Sequence, residues 1–331
     1  MRRRNQQRRA FWLLPVALAA AVAVAINCGY SQIPFADILT SLLRPGGPDA
    51  SVVLLQIRLP RIILAVLCGM GLALSGCTLQ AVTENPLADP GILGINAGAG
   101  FAVMVFLTAF PALHIDTMIY QPLFAMVGGL AVAVFLFRFA KRKGKMRPGY
   151  MLLGGIGVSA GFSALLLIMA TDMENSSYQL VARWLAGNIW GSGWQQVEVL
   201  VFYLLILTPL ILSRASVLDL LLLGEDASCA LGVRVQRERK TLLLVAVALA
   251  ASCVSVSGGI GFIGLVAPHV ARRIVGVRHR LLLPASVLTG ALLLLVADTA
   301  GRSFFQPIEI PVGIVISILS APWFLYLLRK I

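Results

Sequence analysis

The sequence predicts an all-α polytopic membrane protein of about ten transmembrane helices, and three observations carry that class. Hydrophobic residues make up 59% of the 331-residue chain and charged residues only 12%, with a mean hydropathy of +0.89, a balance foreign to an ordinary soluble domain. Apolar runs of near-membrane length recur from one end to the other. The net charge of +13 is gathered at the ends of those runs instead of along one polar face, so topology accounts for it better than a nucleic-acid partner does.

The first run, residues 11–27, follows five arginines within residues 1–9. It is longer than a signal-peptide core and is followed by more membrane, so it reads as a retained span. Residues 29–60 form a long outer connection rich in Pro and Gly, with a short surface helix expected at 35–43. The second span, 62–81, is dense in small residues (Gly69, Gly71, Ala73, Ser75, Gly76) that let helices approach closely. Pro86 and Pro90 then end it in a tight cytoplasmic turn. Spans three to five follow at 92–110, 123–139 and 150–171, with six cations after the fourth fixing the cytoplasmic side. Residues 172–196, with Trp184, Trp190 and Trp194, suit an amphipathic helix or hairpin at the outer interface. The sixth span is 197–213.

Residues 214–240 are a polar island with helical character. A turn of leucines ends at Gly224, and Glu225 and Asp226 open a second short helix that closes at Gly232, giving a compact knob joined by glycine. Arg234, Arg237, Arg239 and Lys240 place it in the cytoplasm. Spans seven to ten are 241–256, 260–275, 281–299 and 311–328. The eighth is too short for a full crossing and is expected to begin below the outer surface, inside a cavity. In this both-ends-inside topology all of the 27 Lys and Arg residues fall inside except Arg44, Arg58, Arg61, Arg183 and Arg302.

The constellations that could carry chemistry are weak. Residues 259–264 match G-x-G-x-x-G, but no strand precedes them and they are expected within a membrane helix, where glycine serves packing. There is no phosphate-cradling loop. His114, His269 and His279 have no metal-ligand spacing, the five cysteines lack C-x-x-C and read mostly as buried small hydrophobes, and no nucleophile has a companion base. No catalytic, cofactor or metal site is expected. Asp298 and Arg302, four apart, are placed to neutralise each other on a helix. Arg58 and Arg61 flank Leu59-Pro60 on the face that disfavours cations, and headgroup anchoring is the bland alternative for them.

Five motifs then stand in one order: Arg58-Leu-Pro-Arg61, Asn85-Pro-Leu-Ala-Asp-Pro-Gly through Ala99, Leu-Gly-Glu-Asp-Ala with Leu231-Gly-Val, Gly261-Phe-Ile-Gly-Leu-Val-Ala-Pro-His269, and Glu309-Ile-Pro-Val-Gly313. Together they resemble the FecCD/BtuC-type permease family from the second span to the C-terminus. The resemblance implies a BtuC-like type II ABC importer permease, residues 1–331 forming one transmembrane domain with cytoplasmic coupling helices near 215–236. It implies import of ferric siderophore complexes, with haem or vitamin B12 as alternatives, driven by a separate ATP-binding subunit, so the chain itself is not an enzyme. Implied partners are that ATPase, a second homologous or identical permease subunit, an extracytoplasmic binding protein and membrane lipid, with no nucleic acid. The implied location is the bacterial cytoplasmic membrane with both termini inside. By position, Gly224, Glu225, Asp226, Ala227, Leu231 and Gly232 would couple to the ATPase, Asn85, Pro86 and Leu87 would form the inner gate, and Arg58, Arg61 and Arg302 would receive the binding protein. A stand-alone secondary transporter is the competing class, but neither an internal repeat nor a midplane acid is legible.

Overall fold

The computed structural model of the chain describes residues 2–28, 52–109, 117–142, 145–146, 148–171, 175–189, 191, 193–304 and 309–328. The surface helix expected at 35–43, together with His114 and Trp190, lies outside the described residues. Helix α1 is Arg2–Asn27, a π-helical turn Val53–Arg58 runs into α2 (Leu59–Val82), and α3 (Ile95–Ala109), α4 (Thr117–Ala140) and α5 (Pro148–Thr171) follow. Next come α6 (Asn175–Leu185), α7 (Trp194–Leu212), the short α8 (Ala215–Leu221) and α9 (Glu225–Ala230), then α10 (Val235–Ser257), α11 (Ile263–Val275), α12 (His279–Ser303) and α13 (Val312–Leu328). A two-residue antiparallel pair, β1 (Lys141–Arg142) with β2 (Lys145–Met146), interrupts the expected all-helical order in the basic stretch after α4.

Helix α2 is the buried axis of the bundle, flanked by α12, α10 and α11, with α7 and α1 further out. Lipid tails are as apolar as leucine, so these helices associate through close packing and inter-helix hydrogen bonds. The small residues of α2 serve that need. A Cβ on Gly69 would lie 2.4 Å from the Gly290 carbonyl oxygen of α12, and one on Gly76 would lie 2.1 Å from the Gly264 oxygen of α11. Ser75 donates to the Ala246 carbonyl of α10 at 2.6 Å, and Gln80 to the Gly264 carbonyl of α11 at 3.1 Å. Cys68, Cys77 and Cys253 are buried free thiols within this core, whereas Cys229 is exposed on α9.

Among the described residues, seven helical stretches are long and apolar enough to cross a bilayer. The expected spans at 92–110, 260–275 and 311–328 appear as shorter helices of 15, 13 and 17 residues, each for a local reason. The turn after α2 consumes residues up to Gly94, whose φ is +75°, so α3 starts late. α13 starts one residue after Pro311, whose carbonyl accepts from the Ile314 and Val315 N–H groups. Between α10 and α11 the chain breaks at residues 258–262, where Gly258 and Phe262 have φ of +71° and +66°. The G-x-G-x-x-G stretch is therefore not inside a membrane helix, as its apolar setting suggested. Residues 259–262 form a helix break, and its glycines serve packing as well: a Cβ on Gly259 would sit 2.8 Å from the Leu185 carbonyl oxygen, while the preceding Gly258, at positive φ, would meet that of Trp184 at 2.2 Å.

Candidate functional site

At one end of the bundle α1 finishes with carbonyls that no further turn can satisfy. Arg58 Nη1 donates to the Ile26 carbonyl at 2.8 Å and Arg302 Nη2 to that of Ala25, so two guanidiniums cap the negative end of α1. Between them Arg61 grips Asp298 with Nε and Nη2, at 3.0 and 2.9 Å from Oδ1, and reaches Glu309 with Nη1 at 2.8 Å. Asp298 and Arg302 approach only to 3.7 Å, so the pairing expected within α12 gives way to one between α12 and α2. Arg58, Arg61 and Arg302 are 5, 9 and 5% exposed. They are engaged within the chain and are not snorkelling to headgroups.

At the other end of α2 the turn holding Asn85, Pro86 and Leu87 is rigid. The Asn85 side chain accepts from the Leu87 N–H at 2.8 Å, and Glu84, at φ +51°, pairs with the buried Arg239 of α10. The Pro86 carbonyl meets His269 Nε2 of α11 at 3.0 Å. Beyond it Asp89, 3% exposed, accepts from the Gly91 N–H at 2.8 Å and lies against Gly264 in the first turn of α11. The carboxylate thereby sits at the N-terminus of α11 by the helix break, a favourable place for negative charge. Two features were missed: Asp89 of the Pro-bounded turn is a buried acid, and His269 staples the turn at Asn85, Pro86 and Leu87 to α11. Asp89 lies between Pro86 and Pro90 in a turn expected to face solvent, so nothing local marked its burial.

The helix break is also a junction. The Gly259 N–H donates to the Trp184 carbonyl and the Gly313 N–H to that of Gly187, both at 3.0 Å, joining the ends of α6 and α10 to the start of α13. Trp184 is thus buried, while Trp194 stays outward and donates to the Leu55 carbonyl at 2.9 Å. Beside the junction, α3, α5 and α6 enclose a cavity of about 490 Å³ into which Asn96, Ser159, Ser163 and Tyr178 bring polar groups.

The island forms the expected pair of short helices. Gly224 and Gly232 adopt φ of +94° and +85°, Ser228 ties the pair by donating to the Leu220 and Gly224 carbonyls at 2.7 Å, and Leu231 is exposed. Asp219 of α8 braces the knob against α12, accepting from the His279 N–H and meeting its Nδ1, both at 2.8 Å. The knob and the arginine cluster therefore sit at opposite ends of α12, which at 25 residues is about 37 Å long.

Residues 17–330 match the family model of the FecCD transport family. The chain belongs to that family. Over 311 residues it is 43% identical to the iron(3+)-hydroxamate import system permease protein FhuG of Bacillus subtilis, covering 93% of this chain and 92% of that one. Over 325 residues it is 39% identical to the iron-uptake system permease protein FeuC of the same organism, covering 96% and 97%. A solved structure described as an inward-facing conformation of a metal-chelate type ABC transporter matches the fold with a TM-score of 0.85 at 28% identity, over 98% of this chain and 100% of that one. As a FecCD permease with several membrane-length apolar helices, it is a multi-pass inner-membrane protein of the ABC-permease class, which is a transport role and not an enzyme's. Of the residues singled out from sequence, the turn at Asn85, Pro86 and Leu87 is bound to α10 and α11, the knob is braced on α12, and the three arginines share one cluster with the buried Asp298 and the exposed Glu309.

Proposed function

We propose that the chain is the membrane-spanning subunit of an ATP-driven, binding-protein-dependent importer of ferric siderophore complexes. The single observation that carries this reading is the placement of a braced, glycine-jointed knob and an arginine cluster at opposite ends of α12, joined to α2 along its length. The knob, with Gly224, Glu225, Asp226, Ala227, Leu231 and Gly232, docks on a cytoplasmic ATPase. Asn85 to Leu87 close the inner end of the pathway, and the end carrying Arg58, Arg61 and Arg302 receives the acidic lobes of a binding protein. α3, α11 and α13 complete ten crossings with both termini in the cytoplasm, and a second permease subunit faces the cavity walled by α5. Relatives named for iron(3+)-hydroxamate and iron uptake support a ferric siderophore as cargo, ahead of haem or vitamin B12.

One observation favours the secondary-transporter class: a broken helix with a buried acid at the break is a common ion site. Here Asp89 accepts from the Gly91 N–H and lies against the first turn of α11, a place where its charge serves the helix N-terminus. The test is uptake of labelled ferric hydroxamate into proteoliposomes containing the permease, its ATPase subunit and binding protein. Uptake that requires ATP hydrolysis and ignores ionophores supports the proposal; uptake driven by an ion gradient without ATP sinks it. Haem or cobalamin uptake in place of iron chelate would reassign the cargo.

A further inference from the structure

We infer that the cleft where α7 and α10 leave the membrane is a binding site for the phosphodiester of an anionic phospholipid. The cleft, about 480 Å³, is lined by Arg214, Arg234, Arg237, Glu238 and Thr241. Its one carboxylate is already taken, since Glu238 accepts from Arg214 at 2.6 Å. Arg234 and Arg237 are exposed and have no ion pair among the described residues, so the cleft holds unneutralised positive charge.

What distinguishes it from a bare basic patch is the surface that leads to it. On α7 the outward residues Phe202, Ile206 and Leu210, four apart, are 62, 49 and 50% exposed and run straight to Arg214. On α10 the exposed face carrying Arg237 and Thr241 continues one turn later as Leu244. Because α7 and α10 pack together, the apolar stripe of α7 and the exposed Leu244 of α10 meet at one cationic end. An acyl chain lies along such a stripe, and guanidinium forks bind phosphate oxygens. A soluble anion would use the arginines and leave the stripe without a role. A protein partner would have to enter at the level where the spans become apolar, so membrane lipid is the occupant that fits both halves.

The test titrates the purified full-length chain with phosphatidylglycerol or phosphatidylcholine of identical acyl chains and reads binding by native mass spectrometry. Phosphatidylglycerol should be retained in preference to phosphatidylcholine. Each cation near an anionic lipid contributes roughly fivefold, so Arg234→Gln with Arg237→Gln should weaken retention roughly thirtyfold. Replacing both by Lys should keep it, and the charge-matched control Arg278→Gln with Arg280→Gln, also exposed, should leave it unchanged. Unaltered thermal unfolding of each variant shows that the fold survives. Equal retention of both lipids, equal loss in the control pair, or displacement by millimolar inorganic phosphate would each overturn the inference. So would a double Gln variant that keeps its lipid but loses association with the ATPase subunit, which would make the cleft a protein contact.

Discussion

Asp298, 1% exposed between Arg61 and Arg302, shows how single residues here hold separate elements together. Removing it leaves Arg61 with only the half-exposed Glu309 and Arg302 with only the Ala25 carbonyl, and breaking a buried ion pair by removing one partner costs up to about 3–5 kcal/mol. Asp298→Ala should therefore lower the thermal midpoint of the detergent-solubilised permease sharply. Arg61→Met combined with Asp298→Leu should recover the part of that loss that Arg61 carries, because an apolar pair of similar volume replaces that ion pair while Arg302 stays without its carboxylate. A double variant as unstable as Asp298→Ala would show that the cost lies elsewhere. The burial also changes how docking must be tested. Reversing Arg61 to Glu would set a third carboxylate beside Asp298 and Glu309, so loss of uptake would report folding as much as partner binding. Glu309→Gln is cleaner: its side chain is 39% exposed, and losing its charge frees one arm of Arg61. If this end receives acidic lobes, Glu309→Gln should bind the binding protein at least as tightly as the parent, and weaker binding would count against that role.

Most helices were legible in the sequence because apolar runs and cation clusters set their ends, and the glycine stops at Gly224 and Gly232 follow from left-handed geometry that a Cβ resists. What was not legible depends on contacts across the fold. The break at residues 258–262 lies in an apolar run that hydropathy cannot tell from continuous helix, and Asp89 reaches the N-terminus of α11 only because the turn after α2 lies against α11. The arginine cluster was visible as misplaced charge, but its partners are 237 and 248 residues away in sequence. The crossing of α2 with α11 offers a sharp check at this scale. At Gly76 the clash is with the Gly264 backbone, which cannot rotate aside, so Gly76→Val should abolish recovery of folded permease. Gly157→Ala, with nothing within 4 Å, should be silent, and a stable Gly76→Val protein would contradict the packing. The gate turn gives a second check. With the exposed Cys229 and half-buried Cys28 replaced, cysteines at Asn85 and Leu87 should label at different rates in nucleotide-free and ATP-bound complexes, and equal rates in every state would remove the gate assignment.

Across the whole molecule, force generated at an ATPase can reach the pathway only through elements that keep their shape, and α12 touches both ends, as does α2, which carries Arg61 and packs against α8. Its first residue, His279, is held by Asp219 of the knob, its middle crosses α2 at Gly290 against Gly69, and its last turn carries Asp298 and Arg302. Coupling that runs through the knob then needs two separable things: a surface that the ATPase recognises and a brace that passes its motion to α12. Gly224 serves the surface, since its φ of +94° would strain any β-branched residue and tilt α9. Asp219 serves the brace. Gly224→Val should thus reduce association with the ATPase subunit, whereas Asp219→Ala should leave association and basal ATP hydrolysis intact while transport per ATP falls. Because His279 loses both its partners in that variant, Asp219→Asn, which keeps an acceptor for the His279 N–H, should recover part of the transport. Membrane insertion of all three should match the parent, read by protease protection and yield. If Asp219→Ala transports as many molecules per ATP as the parent, the brace carries no motion and the knob acts on the bundle by another route.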